Sequence, residues 1–147
     1  MLKNLLNRSL ILLFLFFLSS CARYQKQWDK VRIENKEPHS GILGAWTGTW
    51  KSEPTGHNGR LKCIITESNE DEYEFYYWAT WAKVLSGGFR TSCKVNKEGN
   101  LWKFNGTQNL GALGGKFSHE GKATNKEIKA TYKAEHGDHG IFILTRP

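Results

Sequence analysis

Few side chains in this sequence combine the types and spacing that chemistry needs. Four histidines fall after residue 41: His57, His119, His136 and His139. His136 and His139 bracket Gly137-Asp138, and a His-x-x-His pair with a carboxylate can begin a metal site. Here the pair falls in a turn rather than on a helix face, so strand-end capping is expected and no metal site. His57 stands in the turn pattern Gly56-His57-Asn58-Gly59, and the first and last hairpins of a barrel need not open at the same end. His119 differs. It shares a strand face with Phe117, the inward one, and reads either as hydrogen-bonded core or as a ligand-facing residue. Cys63 and Cys93 have no Cys-x-x-Cys spacing and no evident histidine partner, which argues against a catalytic thiol. Gly111 to Lys116 is glycine-rich, but Leu110 and Phe117 stand where a phosphate loop needs Gly and Ser or Thr. Glu67, Glu70, Asp71 and Glu72 cluster at a turn, as solvated charge does. No nucleophile–base pair, carboxylate pair or metal cluster emerges, so neither enzymatic activity nor a cofactor is expected.

The elements that must position these residues follow an unusual N-terminus. Lys3 and Arg8 form a basic head, Ile11 to Phe17 is an unbroken apolar run, and Leu18-Ser19-Ser20-Cys21 follows. A basic head, a short apolar middle and small residues before a cleavage point make a secretory signal, and the apolar run is about half of what a spanning helix needs. Leu18-Ser19-Ser20-Cys21 resembles the lipobox of bacterial lipoproteins. The resemblance implies cleavage after residue 20, lipidation of Cys21, and attachment to a bacterial envelope membrane. Ala22, where an Asp would retain such proteins at the inner membrane, favours the outer one if it is present. Acyl chains contribute about 0.8 kcal/mol per buried methylene, enough to hold a soluble domain.

Without residues 1–20 the chain keeps 147 − 20 = 127 residues, one domain with a modest core. Its charge falls from +7 to +5 with the loss of Lys3 and Arg8. A balance this small, spread along the chain, argues against a nucleic-acid partner. Residues 21–41 are polar and contain Pro38, and read as a lipidated N-terminus and flexible tether. A short helix around Trp28 to Ile33 is compatible with them, with Trp28 docked on the domain or on headgroups.

From residue 42 to 147 the pattern has period two, broken by turn residues. Tyr73, Phe75, Tyr77, Ala79 and Trp81 alternate with Glu74, Tyr76, Trp78 and Thr80. Gly87-Gly88 reads as a turn into Phe89, Thr91, Cys93 and Val95, and a sixth strand runs from Leu113 to Gly121. Eight short strands and no convincing helix in this region argue for an all-β domain. An eight-stranded antiparallel up-and-down barrel or strongly curled sheet is favoured over a Greek-key sandwich. In that meander Cys63 and Cys93 are two strands apart, near 10 Å, beyond the reach of a disulfide. Two buried thiols are therefore favoured over a bridge, although an oxidising envelope leaves the bridge open.

Gly44-Ala45-Trp46 resembles the Gly-x-Trp opening of lipocalins and related calycins. That resemblance implies a barrel whose end is closed by Trp46 beneath an arginine near the last strand, the place of Arg146. Avidins and nitrobindins share the shape, and the nitrobindin likeness implies a haem-facing role for His119. The domain also resembles small bacterial envelope domains of uncharacterised function that open with Trp-x-Gly-x-Trp and close with His-Gly-x-Phe and Arg-Pro, here Trp46 to Trp50 and His139 to Pro147.

The ligand-facing candidates are thus His119, Trp46 and Arg146. Tyr76 and Trp78 point outward, either to bind a partner or to lie under the tether. The function read from these features is a membrane-anchored, non-enzymatic binding or structural module that meets another envelope protein or polymer. The alternative is a carrier of a small apolar ligand, lipid or haem, of lipocalin or nitrobindin type.

Overall fold

The computed structural model describes residues 21–34, 41–82, 85–111 and 115–147. The expected signal at residues 1–20 and the expected sixth-strand start at Leu113 lie outside them. Eight strands follow in order: β1 Gly44–Ser52, β2 Asn58–Asn69, β3 Glu72–Trp81, β4 Leu85–Glu98, β5 Leu101–Asn109, β6 Lys116–Ala123, β7 Glu127–Ala134 and β8 His139–Thr145. Each pairs antiparallel with the next, and β8 returns to β1, closing an up-and-down barrel. Closure satisfies both edges of every strand.

Alternation decides which side chains fill it. On β3 the inward set Tyr73, Phe75 and Tyr77 faces Phe89 on β4, Phe104 on β5, Phe117 on β6 and Phe142 on β8. Rings contact in offset or edge-on geometry: Phe75–Phe104 at 4.9 Å, Tyr77–Phe89 at 5.1 Å and Tyr132–Phe142 at 5.0 Å between centroids. These few large residues give a 106-residue domain (42–147) its core.

Gly87 and Gly88 do not turn the chain. They lie inside β4, opposite Ala79 and Trp78. A Cβ on Gly88 would stand 2.6 Å from the Trp78 ring, so the glycine makes room for an indole lying across the strand. The hairpin instead falls between Trp81 and Leu85, and Ala82 there has φ 48°.

A helix, α1, spans residues 21–34 and lies on the outer wall of β1–β3. Tyr24, Trp28 and Val31 form its buried stripe, spaced to share one helix face. They cover Ala45, Ile64, Tyr76 and Trp78. Tyr24 stacks on Trp78 at 5.0 Å, and its hydroxyl donates to the Tyr76 carbonyl at 3.3 Å. The Trp28 indole donates to the Trp46 carbonyl at 3.3 Å, and the Lys62 ammonium sits 4.0 Å over its ring. The helix is longer than the Trp28–Ile33 segment, and it binds much of the expected tether to the barrel. No described helix is long and apolar enough to cross a membrane.

Candidate functional site

One end of the barrel is shut by Trp46 and Arg146. Trp46 is fully buried, and its indole donates to the Ile42 carbonyl at 2.8 Å. The Arg146 guanidinium lies 3.8 Å over its ring. It donates to the carbonyls of Gly41 and Leu43 at 2.7 Å each and of Asn125 at 3.1 Å. Burial lowers the Arg146 pKa to about 10, still charged at neutral pH. Both residues therefore seal this end.

At the other end the hairpins between β1 and β2 and between β7 and β8 meet. In a closed meander every odd-to-even hairpin opens at the same end, so His57 and His139 stand at one end, although the sequence alone left the first and last hairpins free to open at different ends. Ser52 accepts Thr55 Oγ1 at 2.8 Å and donates to Asp138 at 2.6 Å, and Asp138 also accepts from Tyr132 at 3.1 Å. His139 faces Glu53 at 3.5 Å. The Ser52 hydroxyl is committed to a carboxylate with no imidazole between them, so this network clasps the seam and generates no nucleophile.

The interior between these ends holds the most unusual chemistry. Inward positions on adjacent strands place Cys93, Gly106 and His119 side by side on β4, β5 and β6. Gly106 has no side chain, so the Cys93 thiol reaches across β5 to His119 Nε2 at 3.4 Å. A Cβ on Gly106 would stand 2.8 Å from Cys93 Sγ and 3.0 Å from His119 Cε1. The sequence hid this partner because a gap between strands creates it. The two thiols are free and buried, as favoured from strand order.

Around this pair are three buried polar atoms with no well-formed hydrogen bond. His119 Nδ1, Tyr77 Oη and Thr91 Oγ1 are buried and lack hydrogen-bond partners. His119 is 2% exposed, with the rings of Phe75, Tyr77, Phe104 and Phe117 at 5.5–5.9 Å. Burial drives every titratable group here toward its neutral form. It lowers His119 to about 4, opposed in part by the Gly106 carbonyl. It pushes the Cys93 thiol up to about 12, with Thr91 pulling back, and raises Cys63 and Tyr77 well above their usual ranges. Cys93 and His119 are thus thiol and neutral imidazole, not an activated ion pair. Among the described residues no three His, Cys, Asp or Glu side chains group to hold a metal ion.

The outer wall is quieter. A groove of about 770 Å³ crosses β5–β8 over Leu101, Ile141 and Ile143. Of its lysines, Lys103 pairs with Glu98 at 2.7 Å and Lys129 with Glu127 at 3.0 Å. It offers no buried unsatisfied group, so the interior is the better candidate despite the groove's size. Tyr76 and Trp78 lie half-buried under α1, with Arg90, itself paired to Glu74, 3.8 Å over the Tyr76 ring.

No family model matches the chain. No curated protein matches it either. Among solved structures, fatty-acid-binding protein 1 of Echinococcus granulosus is similar at 14% identity, covering 71% of this chain and 96% of that chain with a TM-score of 0.36. At that level the likeness assigns neither ligand nor activity.

Proposed function

We propose that this protein is a non-enzymatic carrier of a small, largely apolar molecule with one polar end, held at a bacterial envelope membrane by a lipid on Cys21. The observation that carries the ligand reading is a set of three polar atoms buried inside an aromatic barrel, Tyr77 Oη, Thr91 Oγ1 and His119 Nδ1, none with a well-formed hydrogen bond. Each unpaired buried group costs about 1–3 kcal/mol, more than a domain of this size tolerates three times without a partner. A ligand head that both donates and accepts would satisfy them, and the surrounding rings would hold its apolar part. Haem suits the site poorly. His119 Nε2 already meets Cys93, and four aromatic rings within 6 Å leave no open face for a porphyrin.

The test is native mass spectrometry of the chain from Ala22, purified gently from the cells that express it and again after unfolding and refolding. Gentle preparation is expected to carry a bound mass that refolding strips, and Tyr77→Phe with Thr91→Val is expected to lose it. A gently prepared protein with no bound mass, after incubation with extracted envelope lipids, defeats the reading. Binding of a partner through Tyr76 and Trp78 is the weaker reading, because α1 would first have to leave.

A further inference from the structure

We propose that the barrel interior accepts only an uncharged polar end, so that the ligand is a neutral single-chain amphiphile with a small hydroxyl head, a long-chain alcohol, and neither a fatty-acid anion nor an amine. The inference rests on the carrier reading and narrows it to one chemical class. What carries it is a contrast between polarity and charge. Tyr77, Thr91 and His119 are 0%, 1% and 2% exposed and bring polar atoms without well-formed hydrogen bonds into the interior. Among the described residues no lysine, arginine, aspartate or glutamate is buried. Strand alternation is the cause. Lys103, Lys122 and Lys129 stand directly opposite one another on β5, β6 and β7, all on the outward face, while Phe104, His119 and Tyr132 take inward positions on the same strands.

The two charged groups at the ends of the barrel are both committed. Arg146 serves three carbonyls and stacks on Trp46 at the sealed end. Asp138 accepts from Ser52 and Tyr132 at the other. A carboxylate or ammonium brought between them would lose its water and gain no counter-ion. Burial already drives His119, Cys93 and Tyr77 to their neutral forms there. A hydroxyl loses far less on leaving water, and it both donates and accepts, which suits two protein hydroxyls and an imidazole nitrogen. Cys93 already occupies His119 Nε2, so Nδ1 is the nitrogen left for the head. The head must also be small, because the rings of Phe75, Tyr77, Phe104 and Phe117 lie 5.5–5.9 Å from the imidazole. Phosphate-bearing lipid heads fail on both size and charge.

The test titrates three probes of equal chain length, dodecan-1-ol, dodecanoate and dodecylammonium, into the refolded chain from Ala22 at pH 8, read by tryptophan fluorescence. Dodecan-1-ol is expected to bind at least about tenfold more tightly than either ion. Dodecanoate is expected to gain about tenfold or more between pH 8 and about pH 5.5, where more of it is protonated and His119 is still neutral, while dodecan-1-ol stays constant. Tyr77→Phe with Thr91→Val, its fold checked by circular dichroism, is expected to lose dodecan-1-ol; retention puts the binding outside the interior and overturns the inference. Dodecanoate that binds as tightly as dodecan-1-ol at pH 8, and is lost in the same variant, overturns the uncharged head and leaves the carrier reading standing. If none of the three binds, the gently prepared protein separates the two readings. A bound mass on it overturns this ligand class alone, and a bare protein defeats the carrier and this inference together.

Discussion

The Tyr77 hydroxyl offers a test whose sign, not only its size, is informative. The ring is held by Phe89 at 5.1 Å, Phe142 at 5.4 Å and His119 at 5.5 Å, and the hydroxyl has no well-formed hydrogen bond, only the weak neighbouring thiol of Cys63. Tyr77→Phe therefore keeps the packing and removes one oxygen. Where a buried tyrosine hydroxyl is bonded, its loss usually destabilises by about 1 kcal/mol; where it is unpaired, removing it relieves about 1–3 kcal/mol of desolvation. Ligand-free protein should thus gain about 1–2 kcal/mol. For the 147 − 21 = 126 residues from Ala22, an unfolding entropy near 2.1 cal/mol/K per residue gives about 0.26 kcal/mol/K, so Tm should rise by about 4–8 °C. Differential scanning calorimetry of the refolded chain from Ala22 measures this, with urea melts as a second reading. Ligand-loaded protein should move the other way, because there the oxygen has a partner. A loss of 1 kcal/mol or more in the ligand-free protein would refute the reasoning, since it would mean that water or Cys63 already satisfies the group.

Three further outcomes follow from the same geometry. His119 titrates near 4 in the fold because burial opposes its charge, against about 6.5 when unfolded, so the unfolded chain takes up the proton first. The contribution is complete above about pH 6.5 and lost as the pH falls toward 4, up to about 3 kcal/mol; urea melts should show His119→Leu flattening that part of the stability curve. Arg146→Lys keeps the charge but cannot serve three carbonyls and stack on Trp46, so the urea midpoint should drop by an amount equivalent to about 2 kcal/mol. A Cys93 thiol pushed up to about 12 should react with iodoacetamide at pH 8 about a thousandfold slower than a free cysteine, and fast labelling of the folded protein would contradict its burial.

Much of the barrel could be read from alternation, because each strand wets one face and buries the other. Tyr73, Phe75 and Tyr77 announced β3 and its inward side, and the number and spacing of strands pointed to closure. Gly87 and Gly88 misled because glycine punctuates turns as readily as it admits a ring across a strand. The Cys93–His119 contact was invisible to spacing, since Gly106 makes it by lacking a side chain. The meeting of the first and last hairpins follows from counting strands in a closed meander, a parity argument available before any coordinates. Docking of α1 had a signal too: Tyr24, Trp28 and Val31 share one helix face. Charged neighbours obscured that stripe, and the outward Tyr76 and Trp78 that receive it stand some fifty residues away.

Joining β8 to β1 also orders events in time. Trp50 pairs with Phe142 and Ser52 with Gly140, so the second edge of the first strand is supplied by the last strand of the barrel. The other strand pairs close through short local turns, whereas this one must close a loop of about ninety residues, the slowest and entropically costliest step. Until residues 139–145 are in place, β1 keeps an unpaired edge and the barrel stays open. A chain built this way cannot close its barrel until β8 is in place, and β8 acts as the latch that commits it.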